Sequence, residues 1–346
     1  MIKEAINALV SGRSLTTEEA ATVMAEIMDG TVTPAQFGAF VTALRIKGET
    51  VEEIVGMAKT MRARAIPVTT DGPVVDTCGT GGDNACTFNI STAAAFVVAG
   101  AGIKVAKHGN RAMSSQCGSA DVLEALGVKI DLDAEQNRQC LKEVGICFML
   151  APVFHPAMKY ASAPRREIGI RTVFNILGPL ANPAGAEYQV IGVPRKDLGD
   201  KIAGALQGLG IRHALVVNAE NGMDELSVTG KSLVWEVGEN IPSVFSYTVS
   251  PEDFGLKKAK GGVLDGGTPS ENAEILRRIL SGEKSPRRDV VVMNAAAAIV
   301  ASQPGNTIAA QGLQVLYKSA RLAEEAIYSG RALEKLERFI TVTKSF

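Results

Sequence analysis

Several features that would point to particular classes of protein are missing from this sequence. Its five cysteines, at positions 78, 86, 117, 140 and 147, form no CxxC pair, which argues against a zinc or dithiol redox site and for reduced thiols. The net charge is −1, so no global positive field attracts nucleic acid or a membrane. No apolar run reaches membrane-spanning length, and the amino terminus lacks the pattern of a signal peptide. These absences predict a cytoplasmic protein that binds neither nucleic acid nor membrane.

The first 65 residues contain the clearest secondary-structure signals in the chain. Apolar residues recur at helical spacing, and four short helices are predicted, the second to fourth of which start at capping boxes. The boxes are Thr16 with Glu19, Thr33 with Gln36, and Thr50 with Glu53. Such a block cannot bury all of its apolar faces alone. Phe37, Phe40, Val41 and Leu44 are therefore expected to pack on one another, on another domain or on a second subunit.

From residue 72 onward, short apolar strands alternate with helical patterns, which predicts an α/β fold with a mainly parallel sheet. Strands are expected at residues 74–76, 103–106, 146–150, 188–193 and 214–218, followed by antiparallel strands at 232–237 and 244–248. Residues 155–183 show no strand pattern and carry four prolines, so this segment is expected to return to the helical block. The prediction is a small all-helical domain (residues 1–70 plus about 155–185) and a larger α/β domain (71–154 plus about 186–346).

Two glycine-rich turns separated by a helix form the candidate binding site, because ligands of such sheets lie at the carboxyl ends of the strands. The first turn, residues 79–83, contains three glycines, and residues 89–92 have the composition of a helix N-cap. Lys107 is expected just past the strand at 103–106, and residues 107–111, which include Arg111, lead into the second turn, residues 114–119. This combination predicts a phosphate-rich ligand. Neither the dinucleotide fingerprint, which fails at Asn84, nor the P-loop is present, and Asp83 would repel phosphate unless it binds a ribose hydroxyl or a cation.

Five long motifs resemble those of the anthranilate phosphoribosyltransferase family of tryptophan biosynthesis. They are DTCGTGGD (76–83), NISTAAA (89–95), KHGNRAMSSQCGSADVLEALG (107–127), HPAMKYASAPRREIGIRTVFNILGPLANPAG (155–185) and NGMDELSVTG (221–230). They occur in the family's order between residues 76 and 230. Cys78, Cys86 and Cys117 depart mildly from the family pattern. The resemblance implies a magnesium-dependent glycosyltransferase that moves a phosphoribosyl group from 5-phosphoribosyl 1-diphosphate to the amine of anthranilate. It also implies a homodimer formed through the helical domain.

The resemblance assigns three sets of residues. The donor set is Gly79, Gly82, Asp83, Thr87, Asn89, Ser91, Thr92, Lys107, Gly109, Asn110, Arg111, Ser115 and Ser119. The acceptor set is Gly79, Asn110, Arg165, His108 and His155, and the metal set is Ser91, Asp224 and Glu225.

The residues themselves leave alternatives open for several of these assignments. Lys107 suits a phosphate contact, or is a surface lysine, and Arg111 could instead pair with Asp83 or Asp121. Asn110 could be a turn former after Gly109. Adjacent carboxylates such as Asp224 and Glu225 are often only solvated charges, although magnesium prefers one or two carboxylates together with phosphate oxygens.

The remaining acceptor residues have alternatives as well. Arg165 and Arg166 follow Pro164 and are expected near a helix start, where positive charge opposes the dipole and favours an anionic partner; solvated surface arginines are the alternative. His108 could only cap its turn, and His155 could only line the cleft between the domains.

Two other functions compete with the transferase. A pyrimidine nucleoside phosphorylase of similar architecture would have no diphosphate-bound magnesium for Asp224 and Glu225 to hold. A relative that only binds nucleic acid would show basic patches and an eroded site, and neither is visible in the sequence.

Overall fold

Four capped helices begin the chain in the computed structural model, which describes residues 1–112, 116–303, 305 and 307–346. They are α1 (Ile2–Val10), α2 (Thr17–Met28), α3 (Pro34–Lys47) and α4 (Val51–Ala63). The three predicted capping boxes are confirmed, since each threonine hydroxyl accepts from the third helical N–H and each Glu or Gln side chain accepts in return from the threonine N–H.

A central sheet follows, and seven strands belong to it in the described part of the chain. They are β1 (Val75–Gly79), β2 (Val105–Gly109), β3 (Ile146–Leu150), β4 (Tyr188–Gly192), β5 (His213–Ala219), β6 (Ser232–Gly238) and β7 (Ile241–Val249). The spatial order is β3-β2-β1-β4-β5-β6-β7. Strands β1 to β5 pair in parallel, and β6 and β7 continue the sheet antiparallel. The predicted mainly parallel sheet is confirmed.

Helices cover both faces of this sheet. Those after β1 are α5 (Ile90–Gly100), α6 (Ser119–Leu126), α7 (Ala134–Glu143), α8 (Ala151–Phe154), α9 (Lys159–Ile168), α10 (Phe174–Leu177), α11 (Lys196–Gly208), α12 (Pro269–Leu280), α13 (Pro286–Ser302), α14 (Ile308–Gln311), α15 (Gln314–Tyr328) and α16 (Arg331–Lys344). None of the helices described is both long and apolar enough to cross a membrane.

The alternation of side chains along β5 divides the interior into two cores. Leu215 and Val217 face a core built with α5 and α13, whereas Ala214 and Val216 face a second core that contains α11 and helices α1 to α4. The chain thus consists of a small helical amino-terminal domain and a larger α/β domain.

The four apolar residues of α3 listed above are buried in the second core of the same chain. Ala161 of α9 and Phe174 of α10 lie in that core too, and the Phe37 and Phe174 rings are 5.3 Å apart. Segment 155–183 therefore packs against the amino-terminal helices. Since α3 buries its own apolar face within the chain, any contact between subunits has to use other surfaces.

Candidate functional site

The carboxyl ends of the parallel strands meet at one edge of the sheet. Strands β1, β2 and β4 all end in glycine there, at Gly79, Gly109 and Gly192. Gly79 is opposite Gly192 in the register, and the next N–H, that of Thr80, donates to the Gly192 carbonyl at 2.9 Å. Both predicted glycine turns leave the sheet at this edge.

Asp224 lies in a seat formed by two of these glycines. A Cβ atom on Gly79 would overlap the Asp224 carboxylate, and one on Gly192 would overlap the Asp224 main-chain carbonyl. The Gly81 N–H donates to the same carboxylate at 2.7 Å. Glycine is thus required at both strand ends, because Asp224 approaches closer than any side chain would allow.

The first glycine turn has an unusual backbone. The φ angles of Gly81, Gly82, Asn84 and Cys86 are 68°, 78°, 54° and 50°, all in the left-handed region. Asn84, where the dinucleotide fingerprint fails, therefore adopts a conformation that glycine usually supplies. The Asp83 carboxylate accepts from the Ala85 N–H at 3.2 Å and from the Asp224 N–H at 3.4 Å. Asp83 is therefore tied to Asp224. Thr87, further along, forms an isolated bridge with Asp265.

Asn89 precedes α5, but the expectation that its side chain caps this helix is wrong. Its amide donates to the Cys117 carbonyl at 3.1 Å, and its Oδ1 accepts from Asn272 at 3.0 Å. The diverted side chain ties the two turns together and leaves the first turn of α5 without a side-chain cap. The hydroxyl of Thr92, in the same turn, is buried, and no residue in the described part of the chain forms a hydrogen bond with it.

Lys107 was expected just past the end of a strand, and this is wrong: it belongs to β2 and is 3% exposed. Its ammonium donates to the Thr77 carbonyl and, at 3.4 Å, to the Ser91 hydroxyl. Lys107 thus contacts the Ser91 side chain from a buried position within the sheet. The sequence missed this because the strand is three residues longer at its end than the apolar pattern indicates.

Asp224 and Glu225 are both half-buried, so neither is simply a solvated charge. Burial, followed by the charge of Asp83, raises the pKa of Asp224. Burial, followed by the charge of Asp224, raises the pKa of Glu225, although Lys107 and the Ser91 N–H act in the opposite direction. A cation would offset this accumulated negative charge. Among the described residues, no three His, Cys, Asp or Glu side chains are placed to hold a metal.

His108 and His155 form a buried ring pair with centroids 5.1 Å apart. His108 Nδ1 is 3.3 Å from the Gly178 carbonyl, and His155 Nε2 is 2.9 Å from the Ala181 carbonyl. The other nitrogen of each ring has no hydrogen-bond partner among the described residues. Burial lowers the pKa of His108 to about 3 and that of His155 to about 4, so both are neutral at pH 7.

Arg165 and Arg166 occupy the last turn of α9 rather than a helix start, so the expected conflict with the helix dipole is wrong. Pro164 lies inside this helix, whose first residue is Lys159. Arg165 is half-buried, with its guanidinium 5.5 Å from the centre of the Phe174 ring, and burial lowers its pKa. Arg166 is exposed. Among the described residues, no carboxylate is paired with Arg165.

The second turn is arranged around Gly109 and Gly118. A Cβ on Gly109 would overlap the Ser119 hydroxyl, which donates to the Asn110 carbonyl at 3.3 Å. The exposed Arg111 pairs with Asp121 at 3.1 Å and with Glu124 at 2.8 Å. Of the two alternative partners named above, Asp83 and Asp121, the structure pairs Arg111 with Asp121. Ser115 lies outside the described residues.

Arg171 is a residue that the sequence reasoning missed, although it lies within the motif of residues 155–185. Its guanidinium donates to the Thr80 carbonyl at 3.0 Å and fills the space that a Cβ on Gly82 would need. Arg171 therefore contacts the first glycine turn from the segment that carries Arg165.

Comparison with known proteins agrees with this architecture. Residues 3–65 match the helical bundle domain of a glycosyl transferase family, and residues 71–333 match its a/b domain. The chain is 58% identical over 345 residues to an anthranilate phosphoribosyltransferase of Dehalococcoides mccartyi, covering 100% of this chain and 99% of the relative.

Solved structures agree as well. A crystal structure of anthranilate phosphoribosyltransferase from Thermus thermophilus has a TM-score of 0.90 at 42% identity and covers 98% of this chain and 99% of its own. The Saccharomyces cerevisiae enzyme in complex with PRPP and Mg has a TM-score of 0.88 at 30% identity, covering 100% and 98%. This chain belongs to the anthranilate phosphoribosyltransferase family.

Proposed function

We propose that this chain transfers the phosphoribosyl group from 5-phosphoribosyl 1-diphosphate to the amine of anthranilate and releases diphosphate, a step of tryptophan biosynthesis in the cytoplasm. The observation that carries this proposal is the seat of Asp224. Two strand-end glycines and a glycine-turn N–H hold a half-buried carboxylate beside the uncapped start of α5. Such a site combines amides for phosphates with acidic oxygens for a cation.

We propose the donor site around the two turns and α5, with the thirteen residues of the donor set named above. The amides of the left-handed turn at 81–86 and of the first turn of α5 are suited to phosphate oxygens. Lys107 acts indirectly, since its ammonium is engaged by Thr77 and Ser91. In the same way, Arg111 is engaged by Asp121 and Glu124, so it orders the second turn.

We propose that Asp224, Glu225 and Ser91 hold magnesium. Two carboxylates and a hydroxyl are hard oxygen donors. Burial, followed by the charge of neighbouring carboxylates, raises the pKa values of the two acids, and bound positive charge would offset this effect. Bound magnesium would supply charge that neutralises the departing diphosphate. The chain's own part is to orient that group with its amides and to exclude water while the ribosyl carbon takes on positive character.

We propose that anthranilate binds between Arg165, Asn110, Gly79 and the histidine pair. Arg165 has a planar guanidinium suited to a carboxylate and no acidic partner among the described residues. The rings of His108 and His155 are neutral, and one nitrogen of each has no hydrogen-bond partner among the described residues. The pair therefore offers an uncharged surface for an aromatic amine. The helical domain (1–70 plus about 155–185) would form this side of the cleft, opposite the α/β domain.

We also propose a homodimer formed through the helical domain. Its exposed apolar residues support this, because Val10 and Ile46 are 74% and 82% exposed.

The test is loss of anthranilate fluorescence on mixing with 5-phosphoribosyl 1-diphosphate and magnesium. The double variant Asp224→Asn, Glu225→Gln should lose most of the turnover and of its magnesium dependence. Its folded state should be at least as stable as the wild type, because two poorly solvated charges are removed. Glu220→Gln, an exposed acid in the same turn region, is the matched control. Wild-type turnover of the double variant would contradict the metal site, and no turnover by the wild type would contradict the function.

A further inference from the structure

Arg171 connects the segment 155–185 to the first glycine turn. The residue follows α9 after the left-handed Gly169, and its half-buried side chain contacts the turn. One N–H donates to the Thr80 carbonyl at 3.0 Å. The guanidinium lies so close to Gly82 that the Cβ of an alanine there would overlap it. Position 82 therefore needs glycine for two reasons, the contact with Arg171 and the positive φ.

Charged side chains of both signs act on Arg171, which indicates an electrostatic role beside its hydrogen bond. Asp224 and Asp83 act on it as opposite charges, and Arg195 and Arg45 act as like charges. In the described part of the chain no carboxylate is within ion-pair distance of Arg171. Arg171 therefore interacts electrostatically with Asp83 and Asp224 without forming an ion pair with either. Its burial also removes part of the hydration of the guanidinium.

We propose that Arg171 is a positioning residue of the donor site, which holds the glycine turn through Thr80 and Gly82 and balances the charge of Asp83 and Asp224 while no metal is bound. The second half of this inference rests on the proposed metal site. Arg171 and Arg165 are six residues apart in the chain, so Arg171 also connects the acceptor-side helix α9 to the donor turn.

Two consequences follow from these contacts. A metal at Asp224 would have to share its carboxylate charge with Arg171, so removing the arginine should favour metal binding in the free enzyme. Loss of the Thr80 contact should loosen the turn that receives the donor. Lysine separates the two effects, because it keeps the charge but lacks the planar fork of N–H groups.

The experiment uses the full-length protein, with Mn²⁺ alone as the metal probe and amide hydrogen exchange of a peptide covering residues 80–86. Arg171→Gln should bind Mn²⁺ at least about fivefold more tightly than wild type, the lower end of ordinary coupling between sites. Its turn should exchange faster, and its KM for 5-phosphoribosyl 1-diphosphate should rise while kcat changes little. Arg171→Lys should bind Mn²⁺ like wild type but exchange faster.

Arg195→Gln is the matched control. Arg195 pairs with Asp197 at 2.8 Å and contributes like charge at Arg171, so its loss should leave exchange in the turn unchanged. Wild-type exchange and KM in Arg171→Gln would overturn the positioning role, and unchanged Mn²⁺ affinity would overturn the charge balance. If Asp224→Asn, Glu225→Gln binds Mn²⁺ as well as wild type, the metal site itself is wrong. Exchange and KM would then still decide the role of Arg171.

Discussion

The Asp224 carboxylate occupies the space that any side chain at Gly79 would need. These residues are 145 positions apart in the chain and meet because Gly79 ends β1 while the turn after β5 folds back over the same sheet edge. The alignment of the carboxylate with the Gly81 N–H depends on this contact. A single methyl group at position 79 should therefore act on the proposed metal site directly.

We predict that Gly79→Ala lowers kcat/KM at least about tenfold while destabilising the fold by only about 1–3 kcal/mol, the usual range for one overpacked methyl group. Gly192→Ala should be more destabilising, because it would meet the main chain of Asp224, which cannot rotate away. Gly261→Ala, at a position with open space around it, is the control for loss of a glycine. Steady-state kinetics and thermal unfolding measure both effects, and wild-type activity in Gly79→Ala would contradict the role of the seat.

Local signals in the sequence predicted most of the fold. Capping boxes and short apolar strands depend on neighbouring residues, and the predicted strand at 146–150 matches the observed one. Contacts between residues far apart in the chain could not be predicted from such local signals. Asn89 has the composition of a cap, yet Cys117 and Asn272 take its side chain.

The site was predicted less completely for the same reason. Lys107 reads as a loop residue, but β2 pairs with β3 as far as Gly109, past the apolar pattern. The buried ammonium of Lys107 then donates to Thr77 and Ser91. A proline at position 164 suggests a helix start, although α9 tolerates it in its interior. Arg171 shows no local signal at all, since its role depends on the turn at 80–82.

The next prediction concerns the acceptor. Arg165→Ala should raise the KM for anthranilate about ten- to a hundredfold, because a charge-assisted hydrogen bond contributes roughly 1.5–3 kcal/mol. The KM for 5-phosphoribosyl 1-diphosphate should stay nearly unchanged. Arg166→Ala removes the same charge from the exposed side of the same helical turn and should affect neither constant. An unchanged anthranilate KM in Arg165→Ala would show that another group binds the carboxylate.

The helical domain should mediate dimerisation. Light scattering of the wild type is expected to give about twice the 36.3 kDa chain mass. Val10→Glu with Ile46→Glu should shift the protein toward monomer and leave its helical circular dichroism intact, since both positions are exposed in the single chain. Leu322→Glu, at a 42% exposed position on α15, should leave the mass unchanged. A monomeric wild type at micromolar concentration would exclude the dimer.

The buried histidine pair should make the fold sensitive to acid. The pKa of His155 is lowered from 6.5 to about 4 and that of His108 to about 3, chiefly by burial. Below pH 6.5 the two histidines of the unfolded chain therefore bind protons, whereas the same rings in the native state stay neutral until the pH approaches their lowered pKa values. The stability contributed by each neutral ring is complete above pH 6.5 and is lost as the pH falls toward the native pKa, with about 2 kcal/mol lost per histidine by pH 5.

The buried Asp76 and the half-buried Asp224 and Glu225 act in the opposite sense, because their pKa values are raised. The loss of unfolding free energy on acidification is thus compared between the wild type and His155→Gln, since the three acids contribute to both. The glutamine amide can still donate to the Ala181 carbonyl. Between pH 7 and pH 5 the wild type should lose about 2 kcal/mol more unfolding free energy than the variant. Denaturant unfolding at both pH values measures this difference. Ring-proton resonances of both histidines should also stay at their neutral positions down to pH 5. Equal losses in the two proteins, or a histidine of this pair that titrates near pH 6.5, would show that the pair is hydrated in solution.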